Sequence, residues 1–424
     1  MDKVRFDFPT GLAIVQSDRM EHLRSLCLEY VEQNPLPPFE SETLVVQSNG
    51  IRQWLRLGFA EHESLGISTD ANFLLTSPFL WACYRSFLDE RLVPSASPFD
   101  RNVLLWRIYR LLPGLIQRDP IRFDPLRRFL ERSPHPIKSY QLSQQIADLF
   151  DEYQVHRSDW LLDWGERRDE LRFKAEEAAT EALPPEQRWQ AELWRTLIQS
   201  SLIDWKSTSR ASLHQTLLDR LSAISRGEAE RPPNFPKRIL IFGISSLPRQ
   251  ALETFGALGQ LSQILYFVHN PCQYYWGDLI ESRDLLIQES RRFKRKPGPS
   301  KSMEPSAMHL DGHPLLASLG KQGRDFLRLL DEWDDLEVSK SVFHDRINVF
   351  SEAPQHPTLL ERVQQGILNL EAPPPFAEPT QPISKTDPSI RFIEAHSPQR
   401  EIEILHDTLL DLLDLQEGQP PGLK

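Results

Sequence analysis

The chain has 424 residues, 40% of them apolar and ten of them tryptophan, enough for roughly two to four domains with sizeable cores. Its net charge of −11 and pI near 5.6 argue against a surface coated with nucleic-acid-binding charge, though not against a local basic channel or a partner that brings the positive surface. Three separated cysteines, Cys27, Cys83 and Cys272, imply neither a disulfide framework nor a paired-cysteine metal site. The N-terminal MDKVRFDFPTGLAIVQ lacks the apolar segment of a signal peptide, and no stretch approaches the roughly 20 apolar residues of a membrane span, so a soluble, cytoplasmic protein is expected.

In chain order, Gly11–Val15 reads as a strand and about Arg19–Val31 as a helix. Thr43–Gln47 is the next strand. Its apolar run Leu44-Val45-Val46 meets a polar turn, Gln47-Ser48-Asn49-Gly50. A helix to about His62 follows, with Ile51, Trp54, Leu55 and Phe59 at helical spacing. Ser77-Pro78 opens another helix. From there to about Ala223 the pattern is almost all helical, with apolar residues at i, i+3, i+4 and i+7 over Val103–Leu112, Leu126–Leu130, Leu142–Tyr153, Trp189–Leu202 and Leu213–Leu221. Prolines at 113, 120, 125, 134, 136, 184 and 185 separate these segments.

Strands return at Arg238–Ile244 and Ile264–Val268, continuous apolar runs typical of central parallel strands. The helical block is therefore expected to be an insertion in one α/β domain. The basic run Arg291–Lys296 leads into PGPSKSMEPS, which reads as an exposed loop. A helix is expected over about Leu315–Leu330, and the Pro-rich stretch 371–388 reads as a linker. Ser389–Ala395 reads as a new strand and Pro398–Leu413 as its helix, so residues 389–424 begin a second α/β domain that is not completed. The domain scheme is thus 1–90 with 225–370, an inserted helical unit at 91–224, the linker, and the second domain.

A strand feeding a helix at the carboxyl end of a parallel sheet is where α/β proteins bind ligands. The turn after Val46 lacks the glycines and the Lys-Ser/Thr pair of a phosphate cradle. It offers Gln47, Asn49 and Gln53 instead, whose amides suit base edges. Gln16-Ser17-Asp18-Arg19 after the first strand has no phosphate-binding lysine, and Gly243-Ile244-Ser245-Ser246 has no acidic residue for Mg²⁺. Lost hydrolysis and an ordinary, unrelated α/β domain both fit these absences. Leu319-Gly320-Lys321-Gln322-Gly323 falls in a helical apolar pattern with no strand before it, so it is not read as a phosphate loop.

Asp148, Asp151, Glu152 and His156 form an acidic face on one helix. Three readings fit: a solvated face, a metal site through Glu152 and His156 at i,i+4, or carboxylates that accept hydrogen bonds from cytosine amines or orient Arg157. Arg291–Lys296 fits either phosphate contact or a solubilising loop. The aromatic stretch Pro271–Asp278 fits either base stacking or core packing. No Ser/His/Asp or Cys/His arrangement stands out, so no catalytic residues are assigned.

Several stretches together carry a family resemblance: LVVQSNGIRQWLRL (44–57), GISTDANFLLTSPFLW (66–81), ADLFDEYQVHRSDWL (147–161), WQAELW (189–194), IFGISSLP (241–248), NPCQYYWGD (270–278), HPLLASLGKQGRD (313–325) and HSPQREIEILHD (396–407). They occur in this order in the RecC family, the gamma chains of exodeoxyribonuclease V, and the chain resembles the N-terminal part of that family. The resemblance implies a fold like that of superfamily-one helicases with the ATPase motifs lost. Residues 1–90 with 225–370 would be the inactive first helicase-like domain and 389–424 the start of the second. It implies RecB-like and RecD-like partners in a heterotrimer, which would use the ATP and Mg²⁺, while this chain itself holds no cofactor or metal.

The implied role is non-catalytic, within a bacterial, nucleoid-associated helicase and exonuclease of recombinational double-strand break repair. The chain would help split duplex ends, guide single strands and recognise the Chi signal on the 3′-ended strand. Residues matching the family's strand-reading tunnel are Gln47, Gln53, Leu75, Trp81, Asp148, Leu149, Asp151, Arg157 and Arg210. Asn49 stands where the family has threonine and Glu152 where it has glutamine, so the recognised sequence is expected to differ. A degenerate but active helicase and a pure interaction scaffold without DNA contact are the competing readings. Family members are longer than this chain.

Overall fold

The computed structural model describes residues 9–37, 39–66, 71–88, 93, 99–132, 135–174, 178–200, 210–277, 279, 313–333, 349–352, 354–371 and 387–413. The sheet strands are β1 (Gly11–Ser17), β2 (Glu42–Val46), β3 (Ala71–Leu75), β6 (Arg238–Phe242) and β7 (Gln263–His269), and β4 (Glu170–Lys174) and β5 (Ala178–Ala182) pair separately. The helices in the first half are α1 (Met20–Gln33), α2 (Asn49–Glu61), α3 (Thr76–Phe87), α4 (Arg101–Arg118), α5 (Asp124–Glu131), α6 (Pro136–His156), α7 (Ser158–Gly165) and α8 (Arg188–Gln199). After them come α9 (Arg210–Ser225), α10 (Arg249–Gly259), α11 (Pro314–Leu319), α12 (Lys321–Asp331), α13 (Leu359–Leu368) and α14 (Pro398–Leu413).

The five sheet strands are all parallel, in the order β1-β7-β6-β2-β3. The strands that precede the helical block and those that follow it thus share one sheet. β6 is buried at every position, as its unbroken apolar run requires of a strand covered on both faces. Side-chain alternation sorts the sheet residues into two cores. Ala13, Val15, Leu44, Val46, Leu240, Phe242, Leu265 and Phe267 pack with Leu23, Cys27, Leu55 and Phe59 of α1 and α2. Val45, Ile239, Ile241, Ile264 and Tyr266 pack with Phe79 of α3, Leu213 and Leu217 of α9, and Leu252 and Phe255 of α10. The result is an α/β sandwich of helices on both faces of the sheet.

The amino edge of the sheet is clamped by charge. Arg238 on β6 is fully buried against Glu42 on β2, which is itself only slightly exposed. Its Nε donates to Glu42 at 3.1 Å, Nη2 also reaches the carboxylate, and Nη1 donates to the Asn34 carbonyl at 2.7 Å. The guanidinium lies 5.5 Å from the Tyr30 ring, whose hydroxyl donates to Gln263 on β7 at 3.0 Å. A buried charge is tolerated only with this degree of pairing. Cys27 lies in the same region, and burial pushes its thiol up to about 12.

The helical block has its own core, built on Phe99, Leu104, Ile108, Ile146, Phe150, Trp164, Leu193 and Trp194 of α4, α6, α7, α8 and the segment before α4. Buried Asp163 ties α7 to the β4–β5 hairpin by accepting from Arg168 and Arg172. Helix α9 packs instead with the sheet core, and it also touches α6 and α7. Between α9 and α10, His214 Nε2 lies 2.9 Å from Glu253, which also accepts from Arg249 at 2.9 Å. The histidine contact is the largest influence holding the Glu253 carboxyl below its ordinary range.

Five expectations need correction. β3 was not foreseen: ANFLL is a half-exposed edge strand that runs into α3 with no turn residue between. The β4–β5 hairpin interrupts the block expected to be almost all helical; AATEA is helix-favouring by composition, and only its pairing with ELRFK makes it a strand. Pro113 does not separate helices but lies inside α4; it and Gly114 are exposed, so the backbone break faces water. The helix expected over Leu315–Leu330 is two helices divided at Gly320. Residues 389–395 form no strand, and Phe392 and Ile393 are exposed, because no described strand stands beside them to complete a ladder. The basic run Arg291–Lys296, and the linker over 372–386, lie outside the described residues.

Arg238→Ala should lower stability by about 3–5 kcal/mol, because it leaves the Glu42 carboxylate buried and unpaired; urea unfolding checks this, and Arg238→Met with Glu42→Leu should cost much less. Glu253→Gln should cost about 1–2 kcal/mol near neutral pH. A depressed carboxyl contributes above its unfolded value and loses that contribution as pH falls through the folded one. The gap between Glu253→Gln and the parent protein should therefore narrow in acid.

Candidate nucleic-acid interface

The buried run of β2 ends at Val46, and Gln47 emerges into solvent at the carboxyl edge of the sheet. Ser48 adopts an extended conformation and caps α2, its Oγ accepting from the Ile51 amide at 3.3 Å. The helix therefore begins at Asn49, two residues earlier than the expected four-residue turn allows, and Gly50 sits in its first turn. Asn49 and Gln53, one turn apart, are both exposed. On the inward side the Trp54 and Phe242 ring centroids are 6.1 Å apart, and the Arg24 guanidinium lies over the indole, 4.5 Å from its centroid. These contacts hold α2 on the sheet and aim its amides outward.

β3 is the neighbouring strand, and Leu75 pairs in register with Val46. Leu75 is 36% exposed, so an apolar side chain stands at the same edge as the amides. α3 begins at the next residue, and Trp81 in its second turn is half-buried, edge-on to Tyr84 with centroids 5.5 Å apart. Gln47, Asn49, Gln53, Leu75 and Trp81 thus all belong to the adjacent carboxyl ends of two paired strands and the helices that leave them.

The second group lies on α6. Its inner face is fixed by Ile146 and Phe150 in the helical core and by Gln154, which donates to the Phe99 carbonyl at 3.0 Å. This turns Asp148, Leu149 and Asp151 to half-exposed positions and leaves Glu152 and His156 exposed. Among the described residues no group of three or more His, Cys, Asp or Glu is placed to hold a metal ion. Arg157 follows α6, with its guanidinium 4.9 Å from the Trp160 ring. The ion-pair partner of Asp148 is Arg101, not Arg157. Arg101 begins α4, 47 residues away in sequence, and no local pattern points to it. Arg210 opens α9, but its side chain lies outside the described residues. α9 packs on α3 and also on α6 and α7, so it joins the elements that carry the two groups. Gln250 adds a tie by donating to Ser158 of α7 at 3.0 Å.

The other junctions are occupied differently. After β1, the Ser17 hydroxyl donates to the Val349 carbonyl at 2.6 Å, Asp18 accepts from the Ser351 amide at 2.9 Å, and Arg19 Nε donates to Ser351 Oγ at 2.8 Å. The chain's own segment fills the turn, and the groups there include a carboxylate and a carbonyl. After β6, Gly243 has φ +68, and a Cβ there would meet Met20 Cε at 2.7 Å, so this turn requires glycine. The aromatic stretch after β7 divides. Trp276 is buried with Cys272 and Leu316, its indole donating to Asn270 at 2.8 Å, whereas Tyr274 and Tyr275 are exposed. Asp278 lies outside the described residues. Gly320 separates α11 from α12, and Leu319 ends a helix rather than a strand. No helix among the described residues is long and apolar enough to cross a membrane.

Residues 12–370 match the family model described as RecC, N-terminal domain. The chain is 33% identical to the RecBCD enzyme subunit RecC of Escherichia coli over 95% of its length, and 32% identical to that of Haemophilus influenzae over 91%. A more distant relative, the RecBCD enzyme subunit RecC of Mycolicibacterium smegmatis, is 25% identical over 90% of the chain. The alignments cover 35%, 35% and 30% of those relatives, so the chain spans about a third of their length. On the family match and on identity across nearly its whole length, the chain belongs to the RecC family and corresponds to its N-terminal domain.

Proposed function

We propose that this chain is a non-catalytic, DNA-guiding part of an ATP-dependent helicase and nuclease that processes double-strand breaks. Its relatives are named as subunits of the RecBCD enzyme, and RecB-like and RecD-like chains are the partners this reading assigns to it. In this reading the α/β sandwich is a helicase-like domain that no longer turns over ATP. The helical block from about residue 91 to 224 is an insertion in it, and 389–413 belongs to the next domain. The setting is the bacterial cytoplasm, at the nucleoid.

The observation that carries the proposal is the placement of amides. Gln47, Asn49 and Gln53 are exposed at the carboxyl edge of β2, beside Leu75 in register on β3. An amide side chain offers both a donor and an acceptor, which matches a base edge. The acidic face belongs to α6, which α9 joins to α3. It adds acceptors, Asp148 and Asp151, that suit base amines and repel phosphates. Leu75 and Trp81 supply apolar and aromatic surface for the faces of the bases. Such a surface reads a passing single strand by its bases, and Chi-type recognition is the function that fits.

The β1–α1 turn favours this reading over a degenerate but active helicase. A phosphate cradle needs backbone donors and a lysine aimed at the anion. Here Asp18 and the Val349 carbonyl occupy the turn, and they would repel it.

In the complex assembled with its partners, Gln53→Ala and Asp151→Ala should change or abolish the response to the recognition sequence, while unwinding is largely retained. Mapping of cut ends on DNA with and without the signal checks this. Unchanged cutting patterns in both variants would remove the reading role and leave a scaffold.

A further inference from the structure

Helix α13 is held at both ends by segments distant in sequence. At its carboxyl end the Gln273 amide donates to the Leu368 carbonyl at 3.1 Å, and the Gln273 side chain donates to Asn369 at 2.8 Å. These bonds tie the helix to the chain leaving β7. At its amino end a local cap is already complete: Thr358 Oγ1 accepts from the Glu361 amide, and the Glu361 carboxylate accepts from the Thr358 amide. Two further amides of the first turn are taken up from beyond the helix. Leu359 donates to Asp387 at 2.7 Å and Leu360 donates to Ser389 at 3.1 Å. Asp387 also accepts from the Ser389 amide at 2.9 Å, so the two capping residues are joined to each other. Hydrogen bonds from Ser389 first, and then from the Leu359 amide, hold the Asp387 carboxyl below its ordinary range.

Leu360 is exposed, and water satisfies the amides of an exposed first turn. Acceptors brought from 28 and 29 residues away therefore do more than end a helix: they fix where the chain returns. The chain leaves α13 at Glu371, whose amide donates to the Gly366 carbonyl at 2.8 Å, and it is back on the same helix at Asp387. The Pro-rich stretch expected to be an inter-domain linker thus begins and ends on one helix about 15 Å long. The return point lies beside the occupied β1–α1 turn. Arg19 donates to Ser351 there, and its charge acts on the Glu361 carboxylate.

We propose that Asp387 and Ser389 form a latch that docks the start of the 389–413 unit on α13, beside the β1–α1 turn, so that the chain's own groups rather than a bound ligand set this joint. The latch is independent of any contact with DNA. It shares with the proposed function only the filling of that turn by the segment around Val349 and Ser351. Because it rests on one helical turn whose other end is anchored separately, it can release without unfolding the sheet.

The test is a distance measurement in the 424-residue chain. The three native cysteines are buried, so Glu29→Cys on α1 and Arg391→Cys, both at exposed positions, accept spin labels selectively. Pulsed electron paramagnetic resonance should give one narrow distance distribution, unchanged by ATP with Mg²⁺. Asp387→Ala should broaden it by about twofold or more, and amide exchange over residues 359–361 should rise roughly fivefold, the effect of losing a helix cap. Asp387→Asn should keep most of the narrow distribution, because asparagine caps as well as aspartate. Thermal melting checks folding, and Asp387→Ala should melt with the parent. A broad distribution in the parent, or one in Asp387→Ala indistinguishable from the parent's, would overturn the latch and leave the proposed function standing. A shift on adding ATP with Mg²⁺ would overturn the latch and also the filled turn on which the proposed function relies.

Discussion

Arg238 and Glu42 meet where β6 and β2 pair, 196 residues apart in sequence, and the geometry of the opposite edge depends on that junction. β2 carries Gln47 and the start of α2, and β3 with Leu75 is reached only through β2. β6 in turn is held by β7, which pairs with β1. If β2 and β6 slipped by one residue, every side chain of β2 would change face, and the cores formed by Leu44 with α2 and Val45 with α3 would both be lost. The bidentate pair fixes the register at the amino edge, so the carboxyl edge is presented in one arrangement. Burial of a charge is costly, and here it secures a junction between distant parts of the chain.

The same economy of charge shapes the surface. The chain is acidic overall, and the groups on the proposed reading surface are amides, carboxylates and single arginines rather than a basic patch. A strand held by its bases needs donors and acceptors that match edges, because phosphate contacts position a strand without reading its sequence. The acidic balance suits a surface over which a strand moves, because strong phosphate contacts would hold it in place. Helix α9 is the mechanical link between the two halves of this surface, and the His214–Glu253 contact secures it to α10.

Much of the sheet was legible because its strands are apolar runs bounded by turns: β2, β6 and β7 follow directly from Leu44-Val45-Val46, Ile239–Phe242 and Ile264–Val268. What escaped was decided by partners. ANFLL becomes a strand only beside β2, and AATEA only beside ELRFK. Residues 389–395 have the composition of a strand but no neighbour among the described residues to pair with. The amides of the site could be placed from sequence because the spacing of Ile51, Trp54, Leu55 and Phe59 fixes which way α2 faces, whereas the Ser48 cap, which puts Asn49 in the helix rather than in a turn, is seen only in the structure. Their neighbours could not, since the contact between Leu75 and Val46 and that between Arg101 and Asp148 join residues brought together only by the fold. The acidic face on α6 was visible as a pattern, but the pattern fitted three roles, and the ion-pair partner of Asp148 was hidden in another helix.

The account stands on contact between single-stranded DNA and the carboxyl edge of β2 and β3. Photocrosslinking with base-modified single strands, in the chain assembled with its partners, followed by peptide mapping, tests this most directly. Crosslinks in the peptide containing Gln47–Gln53 and in the α6 peptide containing Asp148 and Asp151 are the predicted result. Crosslinks confined to other regions, or none from this chain while its partners are labelled, would contradict it.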